Sequence, residues 1–158
     1  LSIRRQRQMC IRDRFVPKGA LLVQLEDRAG QRQAYYSNGT PLLSVPVTVL
    51  VGGKTGSSAE VVAQALQRHL SSRLVGEQTY GKATAEAIMP LNNGFAAKVT
   101  TQRLLSARGT TWESVGLPPD VAVKDNPEDV GRAPLATTIQ ERLRLDKTLD
   151  TAIKRLLR

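Results

Sequence analysis

The chain has 158 residues, 41% of them hydrophobic and 23% charged, which suits one domain or part of one and excludes wholesale disorder. Aromatics at 4% exclude base-stacking single-strand nucleic-acid modules. No apolar run reaches the roughly 18 residues a bilayer span needs, and the single cysteine, Cys10, excludes an internal disulfide framework or a cysteine-based zinc cluster.

Of the net charge of +9, Leu1 to Arg14 carry +4, with five Arg and one Asp, which leaves 18 basic and 13 acidic residues and an ordinary +5 for the rest. This opening stretch has no hydrophobic period, no cap and no signal-peptide core. Arg7-Gln8-Met9-Cys10-Ile11-Arg12-Asp13-Arg14 resembles translated adapter sequence, and residues 1–14 are set aside from the fold on that ground. Taken as native, they would be a basic arm or a nucleic-acid tail.

From Phe15 onward the pattern becomes regular. Ala20 to Glu26 alternates as a strand, Asp27-Arg28-Ala29-Gly30 reads as a turn, and Arg32 to Tyr36 is its partner. Ser37 to Pro41 is loop chemistry. Val45 to Val51 is β-branched and nearly all apolar, which predicts a strand covered on both faces. The glycine turn Gly52-Gly53-Lys54-Thr55-Gly56 follows. Val61, Val62, Ala65, Leu66, His69 and Leu70 then recur at helical spacing, so an amphipathic helix begins near Ser57. Arg73 to Gly76 predicts a short strand. Ala85 to Leu91 and Phe95 to Thr101 flank Asn92-Asn93-Gly94 as a hairpin. Gly116 to Asp120 breaks the chain, and Leu135 to Arg144 and Asp146 to Leu157 read as helices with Leu143, Leu149, Ile153, Leu156 and Leu157 as the apolar stripe.

The strand, glycine turn and helix from Val45 can host two chemistries. Gly53-Lys54-Thr55 supplies the end of a phosphate-binding loop, but the motif's first glycine falls on Thr48, inside the strand, and the match fails. The other chemistry is a nucleophile at the helix start, where unpaired N–H groups favour developing negative charge. Ser57 and Ser58 are the candidates. Ser57-Ser58-Ala59-Glu60 is equally a capping box, and capping alone accounts for Ser57. The two roles are compatible. His69, the one histidine, lies twelve residues along the helix, about 18 Å away, so it cannot be the base and reads as a packed histidine. A lysine kept neutral by burial can serve instead. Lys82, in Thr79-Tyr80-Gly81-Lys82-Ala83-Thr84, is the candidate; an exposed surface lysine is its plain alternative.

Together these motifs resemble the carboxy-terminal processing, or tail-specific, serine peptidases, a Ser-Lys family with a Clp-protease and crotonase-like core. The resemblance runs from Phe15 to about Val123. It is carried by Leu50-Val51-Gly52, Ser57-Ser58-Ala59-Glu60, Val75-Gly76-Glu77-Gln78-Thr79-Tyr80-Gly81-Lys82-Ala83, Pro90-Leu91-Asn92-Asn93-Gly94, Thr100 to Arg103 and Gly116 to Asp120, with Ser57 and Lys82 separated by 25 residues as in the family. The resemblance implies an α/β fold, a mixed sheet with flanking helices. It implies Ser57 as nucleophile, Lys82 as general base and the Ser58 N–H as an oxyanion donor, with no cofactor and no metal. Two departures stand out. Glu86 occupies the place of a dyad-orienting glutamine, and an ionised carboxylate there favours a charged lysine; Glu86 is then protonated, turned away, or the cause of a higher working pH. Ser58-Ala59 inverts the usual alanine-serine order, which keeps Ser58 open as the reactive hydroxyl.

The family's upstream R-x-N-P-G-G loop, which gives the second oxyanion donor, and its PDZ domain are not in this sequence. The expectation is therefore a catalytic-core fragment over 15–125 with a helical extension over 126–158, inactive alone. Its parent would cleave proteins near their carboxy termini in the periplasm or cell envelope, where peripheral membrane association is compatible, and would not bind nucleic acid. The competing class is a scaffolding relative without catalysis.

Overall fold

The computed structural model describes residues 15–39 and 45–157; residues 1–14, with Cys10 and the adapter-like stretch, lie outside them. The strands are β1 (Leu21–Asp27), β2 (Arg32–Tyr36), β3 (Thr48–Val51), β4 (Arg73–Gly76), β5 (Thr84–Pro90), β6 (Ala96–Leu105) and β7 (Val121–Ala122). The helices are α1 (Ser58–Leu70), α2 (Pro127–Arg132), α3 (Ile139–Leu145) and α4 (Lys147–Leu156).

The strands divide by connection type. Short turns join β1 to β2 and β5 to β6, and these four form an antiparallel sheet in the order β2-β1-β6-β5. At the first turn Asp27 Oδ1 accepts the Ala29 and Gln31 N–H groups, both at 2.9 Å, which is the Asx chemistry read from the sequence. α1 crosses over from β3 to β4, and such a crossover makes neighbours parallel; β3, β4 and β7 form the second sheet. The strands expected in one mixed sheet therefore separate into an antiparallel layer and a parallel layer.

The main core lies between the layers. Val61 and Ala63 of α1 meet Val51, Leu74, Val23, Leu104, Ala83, Trp112 and Leu117 there. A second cluster forms farther along α1, where Ala65 and Leu66 pack on Val16 and Leu22. Leu74 faces the main core, so the pleat turns its neighbour Val75 to the opposite face of the parallel sheet. α4 packs on β3 and β4 and covers part of that face.

Two expectations are corrected. The strand predicted from Val45 begins only at Thr48, and it is not covered on both faces: Leu50 is 44% exposed because β3 is a sheet edge. The segment after Asp120 pairs as β7 with β4, and Pro127–Arg132 is the first helix of the extension over 126–158. The buried face of α4 is Thr148 and Ala152, whereas Leu156 and Leu157 are exposed. Small residues are buried here because the helix comes close to the sheet: a Cβ on Gly76 would stand 3.3 Å from Thr148 Cγ2. Asp125 fixes that approach by accepting from the Lys147 N–H at 2.8 Å and from Thr148 Oγ1 at 2.5 Å.

Candidate active site

The parallel sheet delivers the glycine turn to the start of α1. Within the turn the Thr55 N–H donates to the Gly52 carbonyl at 2.8 Å, and Thr55 Oγ1 accepts from the Gly52 N–H at 3.1 Å. Ser57 follows with φ 57° and ψ −123°, a conformation that costs a non-glycine residue on the order of 1–3 kcal/mol. A strained serine on a strand-to-helix turn is the geometry by which α/β-hydrolases expose a nucleophile. In the first turn of α1 the Ala59 N–H goes to the Gly56 carbonyl and the Glu60 N–H to the Ser57 carbonyl. The Ser58 N–H has no acceptor among the described residues, as expected of a first-turn amide.

Glu60 holds this turn to the loop that carries Lys82. Its side chain is fully buried, and burying a carboxylate is tolerated only where donors saturate it. Oε2 accepts from the Ser57 N–H at 2.8 Å and the Lys82 N–H at 3.0 Å; Oε1 accepts from Thr79 Oγ1 at 2.5 Å and the Gly81 N–H at 2.8 Å. Because Ser57 and Lys82 donate to the same oxygen, their amide nitrogens cannot be farther apart than those two bonds end to end. Two further contacts lock the loops: the Tyr80 N–H donates to the Thr55 carbonyl at 2.8 Å, and the Leu117 N–H to Thr79 Oγ1 at 2.6 Å. Gly81 must be glycine. Its φ is +83°, and a Cβ would come within 2.7 Å of the Gly116 nitrogen.

At side-chain level Lys82 turns to Glu86. Its Nζ donates to Glu86 Oε2 at 3.1 Å, and Lys98 Nζ reaches the same oxygen at 2.7 Å. These hydrogen bonds, Lys98 first and then Lys82, hold the Glu86 carboxyl below its ordinary value. The Glu86 side chain thus faces Lys82, and both ion pairs favour its charged form. Among the described residues Ser57 and Lys82 share no direct side-chain hydrogen bond; Lys82 is about one-third exposed. Unliganded sites commonly hold such bonds open until substrate arrives.

His69 is half-buried, with its Nε2 2.9 Å from the Leu21 carbonyl, a packing role remote from the turn. No group of three or more His, Cys, Asp or Glu among the described residues suits a metal ion. No helix of these residues is long and apolar enough to cross a membrane.

The model of peptidase family S41 matches residues 6–123. The chain belongs to peptidase family S41. Relatives include the carboxyl-terminal-processing protease of Picosynechococcus sp., 31% identical over 85% of this chain and 33% of that protein. Another is the carboxy-terminal processing protease CtpB of Bacillus subtilis, 29% identical over 84% of this chain and 27% of its own length. Among solved structures, the photosystem II D1 C-terminal processing protease superposes with a TM-score of 0.70 at 29% identity, over 87% of this chain and 34% of that one. A lipoprotein from Streptococcus agalactiae, 20% identical with a TM-score of 0.61 over 73% of this chain and 44% of its own, shares the fold alone. The chain thus spans about a third or less of the curated relatives it matches. These matches bear out the α/β, Clp-protease-like architecture and the peptidase family expected from the motifs.

The sequence marked Glu60 only as a helix cap. Its other three donors, on Thr79, Gly81 and Lys82, were not readable, because no local pattern reports a contact 19 to 22 residues away. Asp120 was read as a chain break, yet it accepts the Leu74 N–H at 2.7 Å and both bonds from Gln67 Nε2, tying the G-x-x-P-D segment to β4 and α1.

Proposed function

We propose that this chain is the catalytic-core portion, 15–125 with a helical extension over 126–158, of a serine endopeptidase that cleaves proteins near their carboxy termini. One observation carries the reading: a strained Ser57 and the Lys82 amide bonded to one oxygen of buried Glu60. Lys82, once unprotonated, takes the Ser57 hydroxyl proton; Ser57 Oγ attacks the peptide carbonyl, and the developing oxyanion is met by the Ser58 N–H. Collapse expels the amine, which takes the proton from Lys82, and water then hydrolyses the acyl-enzyme. The resting contact of Lys82 with Glu86 must give way first, and Lys98 eases that exchange by taking a share of the same carboxylate oxygen.

The family's second oxyanion donor lies upstream of these residues, so the 158-residue chain alone is inactive. The parent acts on protein substrates in the periplasm or cell envelope. A second reading, a scaffolding relative without catalysis, is favoured by the Lys82–Glu86 ion pair. The test is fluorophosphonate labelling of a protein in which the family's upstream segment precedes this chain. Modification at Ser57, lost in Ser57→Ala and sharply slowed in Lys82→Ala, is the expected result. Modification at Ser58 would reassign the nucleophile, and an unlabelled folded protein would leave the scaffolding reading.

A further inference from the structure

Away from Ser57, toward the far end of α1, a cavity of about 710 Å³ is lined by Gln64, Gln67, Arg68 and His69 of the helix and by residues of the turn after β6, Arg108 among them. Gln64, Gln67 and Arg68 are spaced three and four residues apart, so they share one helix face. The facing turn is rigid. Ser106 Oγ accepts the Arg108 N–H at 3.1 Å and the Thr110 N–H at 3.2 Å, and the Ser106 N–H donates to the Thr110 carbonyl at 2.7 Å. That turn presents Arg108 opposite Arg68.

Neither arginine has an acidic partner among the described residues, although nearby Arg32 is paired with Glu26 at 2.9 Å. Asp120, bordering the same wall, is already occupied by Gln67 and the Leu74 N–H. Two uncommitted guanidinium groups lining one cavity ask for carboxylates.

We propose that this cavity binds an acidic peptide segment, whose carboxylates pair with Arg68 and Arg108. Guanidinium groups suit this task because their planar donor fork matches a carboxylate. The site is separate from the Ser57 turn and does not depend on peptidase activity.

The test is fluorescence anisotropy of a labelled Glu-rich peptide with the full 158-residue chain at about 0.15 M salt. Arg68→Glu with Arg108→Glu should weaken binding by about tenfold or more, while Arg142→Glu with Arg144→Glu on α3, an equal change in net charge, should leave it within about twofold. Arg68→Lys with Arg108→Lys, which keeps the charge and guards against a folding defect, should retain part of the binding that the glutamate pair loses. Equal losses in the two charge-reversal pairs would overturn the proposal, since the attraction would belong to the net charge. So would equal binding of a peptide with Gln in place of Glu, or full displacement of the peptide by equimolar inorganic phosphate, which would mark a simple anion site.

Discussion

Removing the Glu60 carboxylate should destabilise the chain more than any exposed substitution. Glu60→Ala would leave four donors, the N–H groups of Ser57, Gly81 and Lys82 and the Thr79 hydroxyl, without the fully buried acceptor they share. At about 1 kcal/mol or more for each buried donor left unmet, the cost is about 4 kcal/mol. That is a large share of the roughly 5–15 kcal/mol of a typical domain, and corresponds to a fall in Tm of about 8–16 °C. Glu60→Gln keeps the shape and one accepting oxygen but turns an N–H2 toward two of the donors, so about half the cost is expected. Urea unfolding followed by the fluorescence of buried Trp112 reads both changes. An alanine variant within about 1 kcal/mol of the parent would show that water replaces the carboxylate at little cost, and the reasoning that Glu60 holds the serine turn to the lysine loop would be refuted.

Glu86→Gln tests the ion pair with Lys82 and Lys98. The Glu86 carboxyl is held below its ordinary value in the folded chain, so its contribution is present above the unfolded value of about 4.3 and lost as pH falls through the folded one. The parent and Glu86→Gln should therefore differ in stability near neutral pH and converge on acidification, as urea titrations at the two extremes would show; a pH-independent difference argues against the contact. In an active longer protein the same substitution should move the alkaline-rising limb of kcat/KM to lower pH, and an unmoved profile would remove Glu86 from the reaction. Gly76→Ala should unfold the chain or lower its Tm by about 10 °C or more, because a Cβ there would stand 2.1 Å from the Val51 carbonyl oxygen at φ +132°; circular dichroism melts decide. Asp125→Ala removes the acceptor for Lys147 and Thr148 at the start of α4 and should cost about 1–2 kcal/mol. A neutral result would mean that α4 is held by its apolar contacts alone.

Much of this architecture was legible because it rests on short-range rules. Alternation marked β1 and β2, the three-to-four spacing of Val61, Val62, Ala65 and Leu66 marked α1, and Asn92-Asn93-Gly94 marked the hairpin; the observed φ of 69° at Asn93 and 78° at Gly94 shows why those residue types were needed. The ordered motifs around Ser57 and Lys82 were enough to imply the family. Where local chemistry and tertiary placement diverged, the sequence misled. Val45 to Val51 has the composition of a central strand, but β3 lies at an edge. Leu156 and Leu157 have the composition of a buried stripe, yet close approach of α4 to the sheet selects Thr148 and Ala152.

What the amino-acid order determined by itself is most of the elements and the candidate chemistry of Ser57, Lys82 and Glu86, since caps, turns and periodicity act within a few residues. Only the tertiary structure decided which partners those groups meet. Glu60 gathers donors from two separate loops, Lys82 rests on a carboxylate that Lys98 also claims, and Arg68 faces Arg108 across a cavity. Each of these contacts joins residues distant in the chain, and their proximity follows from how the layers pack, a property that no local window of sequence contains.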